Sequence, residues 1–186
     1  MPFITRRDVL LTGAAACVVN PAYATTQNYQ IPAQHQARIV QIKAKFAPNE
    51  IHVDPGRFAL YWTLAGGRAI RYPVGIGTVG RYVSGTFYIH HRRDWPSWTP
   101  TKAMIAREPH IYAKHAGGMP GGPDNPLGAR ALYLYKGNRD SLLRIHGTPR
   151  PESVGRRISN GCLRMINAHV IDLSNRAPNG TRVVLH

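Results

Sequence analysis

Residues 51–74 read IHVDPGRFALYWTLAGGRAIRYPV. Ile51–Val53 is a short apolar run that stops at the turn Asp54-Pro55-Gly56, and Arg57–Leu64 then alternates, with Phe58, Leu60, Trp62 and Leu64 on one side. Period-two alternation places every second side chain on one face, as a half-buried strand requires. Gly66-Gly67 supplies the backbone freedom of a hairpin, and Arg68–Val74 is the returning strand. Working outward, Arg38–Lys45, Thr86–His90, Ala131–Tyr135, Leu142–His146 and Thr181–Leu185 read as further strands. Asn167 is positioned to cap one helix carrying Val170, Ile171 and Leu173, closed by Pro178 and Gly180. Residues 92–128 hold Trp95-Pro96, Thr99-Pro100, Gly117-Gly118 and Gly121-Gly122-Pro123, and read as mostly loop, expected to form a lid or binding wall. The predicted architecture is mainly β, a sandwich or open barrel with one or two short helices.

Composition agrees with this reading. The chain has 186 residues, 43% hydrophobic and 18% charged, which suits one folded domain rather than a disordered protein. Its 18 Gly and 15 Pro suit strands broken by turns, not a helical bundle. The formal charge is +15, and 19 of the 24 basic residues are Arg. Such a field attracts polyanions without naming one: nucleic acid, anionic lipid or an acidic wall polymer.

The first 24 residues read as an export signal. Arg6-Arg7 precedes the apolar run Val9–Val19, and Ala22-Tyr23-Ala24 puts small residues where a signal peptidase cuts. The run is too short to span a membrane, which takes about 20 apolar residues, so no stable membrane insertion is expected. The twin arginine points to export of a folded protein, although two arginines also serve ordinary secretion. The expected organisation is a signal peptide over 1–24, a lead-in over 25–48 and one folded domain over 49–186. Cleavage removes two Arg, one Asp and Cys17, leaving +14 and a single cysteine, Cys162. One thiol cannot form an internal disulfide, and in an oxidising compartment it is either buried or kept for its chemistry. Export disfavours nucleic acid as partner, and no nucleic-acid-binding motif is present.

The chemistry converges on Ile145-His146-Gly147-Thr148-Pro149 and Ile158-Ser159-Asn160-Gly161-Cys162-Leu163-Arg164-Met165. Gly161 permits a tight turn and leaves no side chain over the sulfur. A thiol attacks as thiolate and needs a base or positive charge beside it. His146, ending a strand and followed by Gly147, is the candidate base. Arg156, Arg157 and Arg164 are expected to favour the thiolate, and amides around Gly161–Cys162 are candidate oxyanion donors. The nine histidines form no metal-ligand spacing; His90-His91, His110 and His115 read as loop or strand-end residues.

This stretch resembles the L,D-transpeptidase catalytic domain, or YkuD-type domain, with its His-Gly followed by Ser-(His/Ser/Asn)-Gly-Cys and a nearby Arg. The resemblance extends over roughly residues 49–186: Tyr72-Pro73-Val74-Gly75-Ile76-Gly77, Ser84-Gly85-Thr86-Phe87-Tyr88-Ile89, Trp98-Thr99-Pro100, Asp124-Asn125-Pro126-Leu127-Gly128 and Gly180-Thr181-Arg182-Val183-Val184 all match family segments in order. Carried over by position, Cys162 is the nucleophile, His146 the general base and acid, and Gly147 the carbonyl that orients the imidazole. Arg164 faces the substrate, with Ser159, Asn160 and Gly161 beside it. Asn160 stands where many members have a second His, and Ser84 where Thr-Pro is usual.

The resemblance implies a cell-envelope (periplasmic) enzyme without metal or cofactor. It attacks a peptidoglycan tetrapeptide stem at diaminopimelate, expels D-Ala and holds the stem as a thioester. An amine then accepts it: another stem, a wall-anchored lipoprotein or a D-amino acid. It also implies sensitivity to carbapenems. Two alternatives stay open at this point. One is a hydrolase on the same site with water as acceptor; the other is a non-catalytic basic module that binds wall polymer.

Overall fold

The computed structural model describes residues 29–186 except Ala44, so the expected signal peptide at 1–24 lies outside the described residues. The chain forms β1 (Arg38–Gln41), β2 (Ile51–Asp54), β3 (Ala59–Leu64), β4 (Arg68–Pro73), β5 (Ile76–Gly77) and β6 (Gly85–Asp94). Helices α1 (Lys102–Arg107) and α2 (Pro109–Tyr112) follow, then β7 (Arg130–Lys136), β8 (Arg139–His146), β9 (Arg157–Ser159) and β10 (Leu163–Arg164). Helix α3 (Asn167–Arg176) and β11 (Arg182–Leu185) complete the fold.

Nine strands make one mixed sheet in the order β1-β4-β3-β2-β11-β6-β7-β8-β10, and β5 pairs with β9. Most neighbours are antiparallel, but β11 runs parallel to β2 and β10 parallel to β8. Two bonds of 2.8 Å between Gly75 and Arg164 tie the end of β4 to β10, the far edge of the sheet. The sheet thereby folds over on itself, as an open barrel does. One core cluster fills the interior, joining Leu60, Trp62 and Tyr72 with Leu132, Ile145 and Leu163, and Val170 and Leu173 of α3 pack against it. Each such fully buried side chain contributes on the order of 1.5–3 kcal/mol.

The alternation of residues 57–64 forms the expected strand, but one residue-pair shorter. Phe58 has φ of 48°, outside the β region, so it belongs to the turn and β3 starts at Ala59. The hairpin closes with Gly66 and Gly67 at φ of 72° and 65°, which glycine adopts without strain. β6 runs four residues past the expected His90, to Asp94. Segment 92–128 is mostly loop, but it also folds α1, capped by Thr101 Oγ1 on the Met104 amide (3.1 Å), and α2, so the described residues hold three α-helices.

Asn167 does not cap α3. Ile166 is the N-cap, without a side-chain bond, and Asn167 is the first helical residue. Its Oδ1 instead accepts the amides of Ala129 (3.0 Å) and Thr148 (3.2 Å). Gly147 packs so closely against Asn167 that a Cβ there would collide with it. Asn167→Ala leaves two enclosed amides without an acceptor and is expected to destabilise the fold by about 2 kcal/mol or more. Denaturant unfolding checks this; Asn167→Asp, which keeps the acceptor, is expected to lose much less.

Candidate active site

Two neighbouring parallel strands build the site. Leu163 pairs with Ile145 and Arg164 with His146. Side chains alternate along both strands. Leu143, Ile145, Leu163 and Met165 point into the core, which leaves Arg144, His146, Cys162 and Arg164 together on the opposite face. Cys162 immediately precedes β10 and thus stands two register positions from His146 on β8.

His146 ends β8 and is buried, with 4% of its surface exposed. Its backbone is held on both sides: the Met165 amide donates to its carbonyl (2.8 Å), and the Gly147 amide donates to Arg130 (3.0 Å). Nδ1 lies 2.6 Å from the Gly147 carbonyl, which only accepts, so Nδ1 carries the proton and Nε2 the lone pair. Burial, followed by the Arg164 guanidinium, holds the imidazole down at about 4, with the Gly147 carbonyl pulling the other way. His146 is therefore a neutral base at pH 7.

Cys162 follows a turn held by Ser159, whose hydroxyl accepts the Gly161 amide (3.1 Å) and donates to the Cys162 carbonyl. Gly161, at φ of 127°, sits against the Arg81 carbonyl, where a Cβ would come within 3.0 Å. That amide is committed to Ser159, so it is not an oxyanion donor in this conformation. The thiol is half-buried, and Sγ donates toward the Leu142 carbonyl at 3.7 Å. Leu142 has φ of 60° at an irregularity in the β7–β8 pairing. Asp140 Oδ1 accepts its amide (2.8 Å).

The charges beside the thiol are only in part those expected. Arg144 and Arg164 act on Cys162, whereas Arg157 points toward the Phe58 ring, 5.9 Å away. Arg144 is fixed by a two-pronged ion pair with Asp140 (2.7 Å each) and by stacking on Tyr133 (4.2 Å). Burial still outweighs the Arg144 backbone amide and these guanidiniums and pushes the thiol above its usual value. At neutral pH Cys162 is therefore a thiol and His146 an uncharged imidazole. Leu142, Asp140 and Arg144 carry no motif; only the strand pairing brings them to the sulfur.

Arg164 is half-buried, and its Nε has no partner among the described residues. Asn160 is engaged by Arg81 and by segment 92–128. Its Oδ1 accepts Arg81 Nη1 (2.6 Å) and Arg107 Nη2 (2.8 Å), and its Nδ2 donates to the Tyr112 hydroxyl (3.0 Å). Helices α1 and α2 are thus anchored on the residue two before the cysteine. Among the described residues no His, Cys, Asp and Glu cluster has metal-binding geometry, and no helix is long and apolar enough to cross a membrane.

The profile of the L,D-transpeptidase catalytic domain, YkuD, matches residues 48–185. The chain belongs to this family. The probable L,D-transpeptidase YbiS of Escherichia coli K12 is 33% identical over 143 residues, covering 73% of this chain and 45% of that protein. The probable L,D-transpeptidase ErfK/SrfK of Salmonella typhimurium is 36% identical over 140 residues, covering 72% and 42%. The chain thus spans less than half the length of these curated relatives.

Solved structures share the fold. The catalytic domain of an Enterococcus faecium L,D-transpeptidase acylated by ertapenem aligns at TM-score 0.53 and 18% identity, over 76% of this chain and 98% of that one. A Brucella melitensis protein described as a probable carnitine operon oxidoreductase aligns at TM-score 0.57 and 43% identity, over 81% and 93%. The architecture of this L,D-transpeptidase domain is accordingly the mainly β fold expected from its sequence, with a large mixed sheet.

Proposed function

We propose that this chain is an exported peptidoglycan L,D-transpeptidase in which Cys162 is the nucleophile and His146 its base. One observation carries the reading: the Gly147 carbonyl holds Nδ1–H (2.6 Å), leaving the Nε2 lone pair on a neutral imidazole whose strand pairs with the one that Cys162 precedes. Sγ attacks the stem carbonyl at diaminopimelate while its proton passes to His146 Nε2. The C–N bond to D-Ala then breaks, and the imidazolium returns the proton to the leaving amine. The stem remains as a thioester on Cys162. An incoming amine attacks this thioester, losing a proton to His146, which restores it to the thiolate. The stem lies along the turn Ser159-Asn160-Gly161, in the cell envelope after removal of residues 1–24.

Incubating the protein from residue 25 onward with a disaccharide-tetrapeptide, with and without an added amine, tests this. Release of D-Ala with transfer to the amine supports it. Release of the tripeptide alone in both arms makes the chain a hydrolase, and no turnover removes the enzyme reading.

Arg164 is the stem-carboxylate ligand in this reading, since its Nε is enclosed and unpaired among the described residues. Arg164→Lys keeps the charge but loses the planar fork. It is expected to lower kcat/KM on the disaccharide-tetrapeptide by about tenfold, mostly through KM. Full activity of the lysine variant reduces the role to general electrostatics.

A further inference from the structure

The Cys162 site uses few of the chain's basic residues. A second concentration of them lies on the outer face of β1–β4. One row of residues crosses four strands there: Arg38 on β1 stands opposite Arg71 on β4, Arg71 opposite Tyr61 on β3, and Tyr61 opposite His52 on β2. Their neighbours in sequence, Ile70, Leu60 and Ile51 among them, point the other way into the core. This row floors a groove of about 1070 Å³ whose rim carries Lys43, Lys45, Phe46 and Arg57. None of its lining residues belongs to the Cys162 site.

Three features mark the groove as built for an anion. Like charges directly opposite one another in a sheet repel, and Arg38 and Arg71 are such a pair. Arg71 Nη1 is enclosed yet has no hydrogen-bond partner among the described residues, and Nη2 has only a 3.5 Å contact with the Arg57 carbonyl. The single side-chain carboxylate of the lining, Asp54, is already engaged by the Gly56 and Arg57 amides and by Arg57 Nε (3.6 Å). Five cationic side chains therefore share one committed side-chain carboxylate. Tyr61 and Phe46 add aromatic faces beside them, suited to sugar rings or peptide planes.

We infer that this groove is a second, non-catalytic site that grips carboxylates of the peptidoglycan polymer at a distance from the bond being cut. The choice of peptidoglycan rests on the function proposed above; the anion site rests on the groove itself. A long polymer held at two places stays bound between turnovers, so the groove acts on insoluble wall and not on short stems.

The test uses protein carrying Cys162→Ala, which binds without turnover, and sacculi stripped of protein and secondary polymers. Sedimentation at low salt is expected to show binding that high salt abolishes. Arg38→Gln with Arg71→Gln is expected to weaken it by about tenfold, as loss of charge-assisted bonds would. Lys43→Gln with Lys45→Gln, outside the strand ladder, is expected to weaken it in the same sense and keeps the test valid should the first pair fail to fold. Unchanged binding by either folded pair overturns the inference. So does stronger competition from a glycerol-phosphate polymer than from polyglutamate, which would make the ligand a phosphate. With Cys162 intact, both pairs are expected to match the unmodified protein on disaccharide-tetrapeptide, and a parallel fall there would make the groove a structural feature instead. If the unmodified protein itself turns nothing over, the proposed enzyme fails while sacculus binding still reads the groove.

Discussion

The protein from residue 25 onward, incubated with a carbapenem, is expected to gain the mass of one drug molecule, mapped to Cys162. Cys162→Ala is expected to gain none. The thiol adds to the strained lactam carbonyl, the ring C–N bond opens, and the nitrogen takes the proton that left sulfur, so the adduct is a stable acyl thioester. Cys162 is the sole cysteine after residue 24, so prior iodoacetamide is expected to block the adduct completely. Because burial raises the thiol above its usual value, both alkylation and acylation are expected to accelerate with pH well into the alkaline range. Intact-mass measurement across pH checks this. A Cys162 inert to iodoacetamide in the reduced, folded protein would remove the nucleophile.

The second large effect is expected at His146. His146→Gln keeps a polar side chain of similar length but has no base, and turnover on disaccharide-tetrapeptide is expected to fall by about 100-fold or more. His110→Gln, on the exposed surface of α2, serves as the control and is expected to change little. Equal activity of the two variants would overturn the assignment. The same residue makes stability pH-dependent. An unfolded histidine titrates near about 6.5, while His146 in the fold titrates at about 4. Between those values the unfolded chain binds the extra proton. The contribution of His146 is therefore complete above about 6.5 and is lost as pH falls through 4. Thermal unfolding temperatures measured over this window are expected to fall toward acid, and to fall less steeply in His146→Gln.

Much of this could be read from residue order because the relevant patterns are local. Alternation around Gly66-Gly67 places β3 and β4, and the His-Gly and Ser-Asn-Gly-Cys-Leu-Arg runs name the pair on which the proposed chemistry rests. What stayed hidden is non-local or too short to show a period. β5 and β10 have two residues each and β9 has three, below any detectable alternation. Helices α1 and α2 bury no residue, so they carry no apolar stripe among their Pro and Gly neighbours. Asn167 has the residue type of a cap, but its acceptor serves two amides far away in sequence. Arg156 and Arg157 are close to Cys162 along the chain, whereas Arg144 reaches it through strand pairing.

The place of β11 in the sheet has a consequence for how the molecule comes into being. This strand lies between β2 and β6, with Val183 beside both Ile51 and Phe87. The β1–β4 hairpin unit and the β6–β8 meander can each form early from nearby residues. Only β11 joins them side by side in the sheet; without it they are linked through the Gly75–Arg164 tie at the far edge. Such remote pairing makes for slow folding, because the entropy of closing a long loop is lost before the contacts that offset it exist. In the interval β2 and β6 both present bare edges, open to another chain. The nascent protein is thus most prone to aggregation in the period before its last strand docks, and a substitution such as Val183→Pro, which removes a ladder donor there, would prolong that period.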